Sequence, residues 1–221
     1  MSKKASKKKA AAKRPAAKAA RPSAKAASRG SKAAGKARAG KAAGGARGGS
    51  KPGGAPGASV LVDRAAGFFD FAVGVTTKYA EPFNQSNATA QPMPTSNHAL
   101  WNLGHLAISN LWFASLIDGR PVGTTDAHEQ MFGSKSKPVN DPNAYPPYAE
   151  VKGLYDQAAR RLREAVRAES PAGLLAPCET DSHGFCTDKL DAVLKAAWHE
   201  GWHLGQIAEL RKALGLVPAK A

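Results

Sequence analysis

The chain has 221 residues and a formal net charge of +15, but this charge is concentrated at one end. Residues 1–57 contain 17 Lys and Arg and neither Asp nor Glu, whereas the remainder carries 15 basic and 17 acidic side chains, which argues against a basic nucleic-acid-binding core. Two cysteines are too few for a disulfide scaffold, and no apolar run is long enough to span a membrane, so we expect a cytoplasmic protein without a membrane partner.

Residues 1–57 consist almost entirely of Ala, Lys, Gly, Arg, Pro and Ser. Without large apolar side chains this segment cannot bury enough surface to offset the entropy of ordering, so we expect it to be disordered. Its composition resembles the Lys- and Ala-rich tails of linker histones and bacterial histone-like proteins, which implies non-specific contact with nucleic-acid phosphates. The candidate nucleic-acid-binding residues at its start are Lys3, Lys4, Lys7, Lys8, Lys9, Lys13 and Arg14. The alternative is a tail that only increases solubility.

The first helix is predicted from Ser59, a suitable N-cap, to about Ala80, because apolar residues recur along it at helical spacing. The Glu-Pro pair that follows ends it. A second helix is predicted from Ser96 or Asn97 to Leu116. The residues that recur at helical spacing along this second helix are Trp101, His105, Ile108 and Trp112.

Residues 119–148 are rich in Gly, Pro, Asn and Ser and show no periodicity, which favours a loop that forms a lid or rim over a site. A third helix is predicted for residues 148–169, with apolar side chains on one side and charged side chains on the other. The fourth is predicted from a cap at Thr187 to about Leu214, where a Gly and a Pro follow. Four helices without a strand pattern predict an all-α four-helix bundle over residues 58–217.

A pair of histidines four residues apart, His199 and His203, lies in the fourth predicted helix. This spacing puts both imidazoles on one helix face, with Cβ atoms about 5–6 Å apart, so both can bind one metal ion. A third ligand has to come from upstream, because no histidine follows His203. His105 fits best, since it lies mid-helix on an apolar stripe, although a lone histidine there is more often only a core residue. His98 lies on nearly the same face, about 10 Å along the axis.

The segment from His199 to His203 also matches the His-Glu-x-x-His pattern of zinc metalloproteases, in which the glutamate is the general base. Those enzymes take their third ligand downstream of the pair. Here the only downstream carboxylate is Glu209, and six residues along a helix turn it well away from His203. We therefore reject a metalloprotease, and we expect Glu200 to face solvent or a neighbouring helix.

Three stretches together resemble the DinB-like superfamily: Asn-Leu-Gly-His-Leu-Ala at 102–107, His-Glu-Gly-Trp-His-Leu-Gly-Gln-Ile at 199–207, and Leu-Arg-Lys-Ala-Leu-Gly at 210–215. In that family, one histidine of the second helix and a His-x3-His pair of the fourth bind a divalent metal ion inside a four-helix bundle. The resemblance covers residues 59–217. It implies that His105, His199 and His203 are the metal ligands.

Three neutral imidazoles leave coordination positions open for water or substrate, which is the pattern of a catalytic zinc site and also suits nickel or ferrous iron. The resemblance implies activation of a low-molecular-weight thiol or of water against a small electrophilic substrate, because characterised family members include transferases, isomerases and hydrolases. It also implies a homodimer. The alternative hypothesis is a non-enzymatic, nucleoid-associated DNA-binding protein whose bundle is structural or binds a partner.

Four tryptophans lie within about one helical turn of the predicted ligands and can wall an apolar pocket, although aromatic residues at this spacing are more often core. They are Trp101, Trp112, Trp198 and Trp202. Gln206, seven residues after His199, can support a ligand or pack between helices. Cys178 and Cys186 match no metal-binding spacing, so we expect ordinary loop cysteines.

Overall fold

The computed structural model describes residues 58–217, and no β-strand occurs in this part of the chain. Four helices of 20 to 25 residues form the framework: α1 (Ala58–Ala80), α2 (Ala99–Asp118), α4 (Tyr148–Ala168) and α6 (Lys189–Ala213). Three short elements lie between them: α3 (Asp126–Phe132), a 3-10 turn (Pro142–Ala144) and α5 (Pro171–Leu174). The prediction of an all-α bundle is confirmed. The disorder and nucleic-acid binding predicted for residues 1–57 lie outside the described residues.

The four long helices form a closed ring in which α1 packs on α4, α4 on α2, α2 on α6, and α6 back on α1. The most extensive contacts are those between α2 and α4 and between α1 and α6. In addition, α3 packs against α2, and α5 packs against α1 and α6. Because α2 is covered by three helices, most of its surface is buried, and its only charged side chain is Asp118 at its last residue.

The pattern of α4 shows how its sequence builds one side of the core. Apolar residues recur at spacings of three and four and are buried: Val151, Tyr155, Ala158, Leu162 and Val166. Charged residues occupy the other side, where Arg163 and Arg167 both pair with Asp70 of α1. These pairs are partly exposed and add little stability, so burial of the apolar side is what holds α4 in place.

The predicted starts of the first two helices differ from those in the structure. Because α1 begins at Ala58, Ser59 lies inside the helix and is not its N-cap. The N-cap of α2 is His98, one or two residues later than predicted, and its Nδ1 accepts a hydrogen bond of 3.0 Å from the Trp101 N–H. Histidine is uncommon as an N-cap, whereas Ser and Asn are common. The sequence therefore favoured Ser96 or Asn97 as the start of this helix.

The cap of α6 is also displaced by one residue. Asp188, not Thr187, is the N-cap, and its Oδ1 accepts a hydrogen bond of 2.7 Å from the Asp191 N–H. Both residue types can cap a helix, and only the backbone conformation selects between them. The helix ends at Ala213 as expected, since Gly215 follows with a φ of 65°, a conformation that favours glycine.

The segment predicted to lack regular structure, residues 119–148, contains α3 and the 3-10 turn. Phe132 is the only buried residue of α3, and its ring packs against α2 at Gly104. A Cβ atom at Gly104 would lie 2.3 Å from that ring, so this contact requires glycine. Seven residues with a single buried side chain produce no apolar period, which is why the sequence pattern missed this helix.

None of the helices within residues 58–217 combines the length and the apolarity needed to cross a membrane.

Candidate metal centre

The three predicted metal ligands meet between α2 and α6. One ligand nitrogen from each of His105, His199 and His203 lies within 4.8 Å of the other two. The Nε2 atoms of His199 and His203 are 3.1 Å apart. Metal–nitrogen bonds of about 2.0–2.1 Å hold two ligand nitrogens about 2.9–3.4 Å apart, so the α6 pair already has the required spacing. A side-chain movement of at most about 1–2 Å brings the third ring into the same shell.

The ring of His105 is fixed by α3. Its Nδ1 lies 2.7 Å from the carbonyl oxygen of Phe132, and an imidazole nitrogen at that distance from a carbonyl must donate its hydrogen. The lone pair of His105 is therefore on Nε2, the atom that is left to bind a metal ion. The carbonyl reaches this position because the ring of Phe132 packs against Gly104, the residue before His105.

The tautomer of His203 follows from its contact with Asn102. The amide nitrogen of Asn102 donates to the His98 carbonyl at 3.1 Å, so its other terminal atom is the oxygen. That oxygen lies 2.6 Å from Nδ1 of His203, which must carry the hydrogen. His203 therefore also presents the lone pair of Nε2, the nitrogen that faces His199.

Burial keeps the three imidazoles neutral. It lowers the pKa of His199 to about 4, with a contribution from the nearby His105. It also lowers the pKa of His203 to about 2, where His199 and His105 add to the effect. The pKa of His105 falls by burial as well, although the Phe132 carbonyl and the Glu129 carboxylate oppose this shift. At neutral pH a metal ion therefore meets three imidazoles in the protonation state that it needs.

His199 has a different environment from its two partners. Its Nδ1 is buried and has no hydrogen-bond partner within residues 58–217. A buried polar atom without a partner costs free energy, and the energy of a metal bond at Nε2 would offset that cost. The donor set, with two pre-oriented lone pairs and a third ring beside them, fits a divalent metal ion of the borderline class. Within the described residues no other group of three or more His, Cys, Asp or Glu is arranged in this way.

The remaining histidines are elsewhere. His98 is buried at the start of α2, where its Nδ1 is used as the cap. His128 accepts a hydrogen bond of 3.2 Å from the Thr125 N–H at the start of α3. His183 is exposed and lies 3.1 Å from Asp181. None of the three belongs to the cluster.

Trp101 supports the centre from within α2. Its indole stacks on the His105 ring with a centroid distance of 4.7 Å and an interplanar angle of 7°. Its Nε1 donates a hydrogen bond of 2.7 Å to the Ser136 hydroxyl, which fixes the indole from the segment after α3. Trp101 is therefore placed to hold the orientation of His105, in addition to filling the core.

A cavity of about 690 Å³ opens beside the histidines, and both His105 and His199 line it. Trp112 and Trp198, two of the predicted pocket residues, belong to its wall. The predicted rim over residues 119–148 also contributes, through residues before, within and after α3: Val122, Thr124, Glu129, Gly133 and Ser134.

The other predicted pocket residues, Trp101, Trp202 and Gln206, do not border this cavity. Trp202 is 60% exposed and, with Gln206, lines a separate pocket. Oε1 of Gln206 accepts a hydrogen bond of 2.9 Å from Asn97, so it joins α6 to the segment before α2. This contact corresponds to the helix-packing alternative for Gln206.

Glu200 points away from the cavity, into the centre of the bundle. It is fully buried, and its carboxylate accepts hydrogen bonds from Asn110 of α2 at 2.8 Å and from the Tyr155 hydroxyl of α4 at 2.9 Å. Burial raises its pKa, and the hydrogen bonds from Asn110 and Tyr155 partly oppose this. It therefore faces neighbouring helices, one of the two expected alternatives, and a metalloprotease general base is not available at this position.

The two cysteines are free thiols in the segment before α6. Burial raises the pKa of both, that of Cys186 to about 11. Both are therefore thiols at neutral pH, and neither belongs to the metal-ligand cluster.

Sequence reasoning missed the groups that orient the histidines. Asn102 precedes His105 by three residues, and a polar residue on the same apolar helix was a usable signal. The Phe132 carbonyl gave no such signal, because any residue offers a backbone oxygen. Glu129 was missed because α3 itself was missed.

Comparison with known families agrees with this geometry. The family model described as the DinB superfamily matches residues 69–207, which is more than half of the chain and contains all three histidines. A comparison with curated proteins produced no significant match. The match confirms the resemblance drawn from the three sequence stretches, and the chain belongs to the DinB superfamily.

Proposed function

We propose that this protein is a metal-dependent enzyme that activates a low-molecular-weight thiol or water against a small electrophilic substrate. His105, His199 and His203 hold one divalent metal ion, which is zinc, nickel or ferrous iron. The reaction is then a transfer, an isomerisation or a hydrolysis. The observation that carries this proposal is the convergence of three neutral imidazoles, two of which, those of His105 and His199, line a large cavity.

The chain's own residues support such chemistry in three ways. Phe132 and Asn102 hold the Nδ1 hydrogens of His105 and His203, which leaves the Nε2 lone pairs free to bind a metal ion. The indole of Trp101 keeps the His105 ring from rotating. When bound, a metal ion with open positions lowers the pKa of a coordinated water to about 7, or holds a thiol as the thiolate. The adjoining cavity offers a small molecule space next to those positions.

Metal content is the first test. We expect the full chain, loaded with zinc and desalted, to retain about one metal ion per chain, and the double variant His199→Ala, His203→Ala to retain none. His128→Ala is the matched control, since that histidine lies outside the cluster and should leave the metal content unchanged. Equal metal content in the double variant and the wild type would refute the site.

A second test separates the thiol from water. Cobalt(II) accepts the same imidazole ligands and reports on its coordination by its absorption spectrum. If thiols bind at the open position, adding 2-mercaptoethanol to the cobalt-loaded protein should produce a thiolate-to-metal charge-transfer band. Cobalt that stays bound without this band would favour water as the activated group.

We also propose that the basic tail, residues 1–57, binds nucleic acid without sequence preference, so that the enzyme is nucleoid-associated in the cytoplasm. The supporting observation is its 17 cationic and no anionic side chains. If about eight phosphates are neutralised, log K against log salt should have a slope of about −6 to −7. Removal of residues 1–57 should abolish salt-sensitive DNA binding and leave metal binding intact. DNA affinity that survives the deletion would move this role to the bundle.

The homodimer implied by the family resemblance is likewise a proposal, which sedimentation of the full chain tests.

A further inference from the structure

We infer that the cavity beside the histidines accepts an apolar organic molecule that is neutral or carries a protonated amine, with the amine facing Glu129. This deepens the proposed function by naming the substrate class, and it depends on that function only in treating the bound molecule as the substrate. The inference comes from the composition of the cavity wall and from the distribution of charge around it.

The wall of the cavity is mainly apolar. Trp112, Phe113, Phe185 and Trp198 contribute rings, and Ile108 contributes an aliphatic side chain. The rings of Trp112 and Phe185 are 5.9 Å apart between centroids, and those of Trp112 and Phe113 are 4.9 Å apart. A wall of this kind gains free energy by removing apolar ligand surface from water, and its ring faces also attract cations.

The charged side chain that lines the cavity is an anion. Within the described residues, no Lys or Arg lines the cavity, and Glu129 is its only carboxylate. Lys195 approaches from outside, with Nζ 5.0 Å from the centre of the Phe185 ring, but Asp191 binds it at 2.8 Å. His183 at the cavity wall lies next to Asp181. A phosphate or carboxylate on the ligand would therefore find no free cationic side chain here, apart from a metal ion.

Glu129 is placed to meet a cation. It lies on the face of α3 toward the cavity, and its Oε2 is close to Gly133, another lining residue. Its carboxylate forms no ion pair within residues 58–217. An ammonium group between this carboxylate and the indole faces would gain both an ion pair and cation–π attraction.

Three probes of matched size and different charge test the inference: phenethylamine, 2-phenylethanol and 3-phenylpropionate. Their dissociation constants are measured by calorimetry on the full chain after chelator treatment and again after zinc loading. A salt concentration of about 0.3 M screens the cationic tail, which would otherwise collect the anionic probe. We expect the metal-free, chelator-treated protein to bind the amine about 3- to 30-fold more tightly than the alcohol. The carboxylate should bind to it most weakly.

Two variants assign the effect to residues. Glu129→Gln should remove the difference between amine and alcohol, while Glu164→Gln, at an exposed position on α4 outside the cavity, should leave it unchanged. Phe185→Ala should weaken all three probes by about tenfold through lost apolar contact. Phe185 is 46% exposed, so its truncation leaves the bundle core intact.

Three results would overturn the inference. The first is that the metal-free protein binds the carboxylate more tightly than the amine. The second is that Glu129→Gln still prefers the amine over the alcohol. The third is that the wild type binds none of the three probes. Because the order of affinities is determined without metal, it is independent of the metal site. If the protein proved not to bind a metal ion, the order of probe affinities would still be measurable. If the order of affinities differed from the expected one, the measured metal content would be unaffected.

Discussion

Replacing Glu200 tests whether one buried polar contact holds three helices around the metal centre. The carboxylate of this α6 residue accepts hydrogen bonds from Asn110 on α2 and Tyr155 on α4, and all three side chains are at most 1% exposed. Glu200→Ala would leave the Asn110 amide and the Tyr155 hydroxyl without that acceptor, at a cost of about 1–3 kcal/mol each. The vacated space adds about 1 kcal/mol. The free energy of unfolding should therefore fall by about 3–7 kcal/mol, a large part of a typical domain's stability.

Glu200→Gln should behave differently, since it keeps the volume and one acceptor oxygen. Its new amide group can donate to Oδ1 of Asn110, which has no hydrogen-bond partner among the described residues. We expect a change within about 1 kcal/mol at neutral pH. Burial raises the pKa of Glu200, so the wild-type fold is stabilised at low pH and loses that contribution as the pH rises through the raised pKa. The glutamine variant should therefore gain stability relative to the wild type as the pH rises through that raised pKa.

Urea denaturation followed by far-UV circular dichroism measures these differences. Glu164→Ala is the control, because it removes a glutamate of the same size from the exposed side of α4. A loss in Glu200→Ala no larger than the loss in Glu164→Ala would refute the reasoning, since it would mean that Asn110 and Tyr155 find other partners at no cost.

Three further substitutions have defined outcomes. Burial lowers the pKa of His98 from 6.5 to about 4, so the folded state takes up its proton later than the unfolded chain and stability falls as the pH drops from 6.5 to 4. His98→Asn keeps a capping side chain but removes this titrating group. The slope of unfolding free energy against pH should therefore fall by about 1.4 kcal/mol per pH unit, the contribution of one proton. An unchanged slope in urea titrations would contradict this. Asn102→Ala removes the acceptor for His203 and should weaken metal affinity by about 10- to 100-fold in chelator competition, with equal affinity counting against the assigned tautomer. Gly104→Ala should lower the unfolding free energy by about 1–3 kcal/mol despite its better helix propensity, because its Cβ would overlap Phe132; a more stable variant would show that α3 can shift freely.

Much of the architecture could be predicted from the sequence because helices are local. Apolar residues at spacings of three and four identified all four long helices, and their ends were placed within three residues. The four-residue spacing of His199 and His203 was enough to predict that both imidazoles share one face. The family signature was also visible in the sequence, since it consists of short contiguous stretches.

The sequence alone determined which residues share a helix face, and for His105 this was enough to nominate the third ligand. Only the tertiary structure decided how α2 and α6 are rotated against each other, which helices receive Glu200, and which tryptophans reach the cavity. The contacts that orient the ligands join residues 27 and 101 positions apart in the chain, from His105 to Phe132 and from Asn102 to His203. A helical period sets directions within one helix, whereas the distance between two helices depends on how all their side chains pack together.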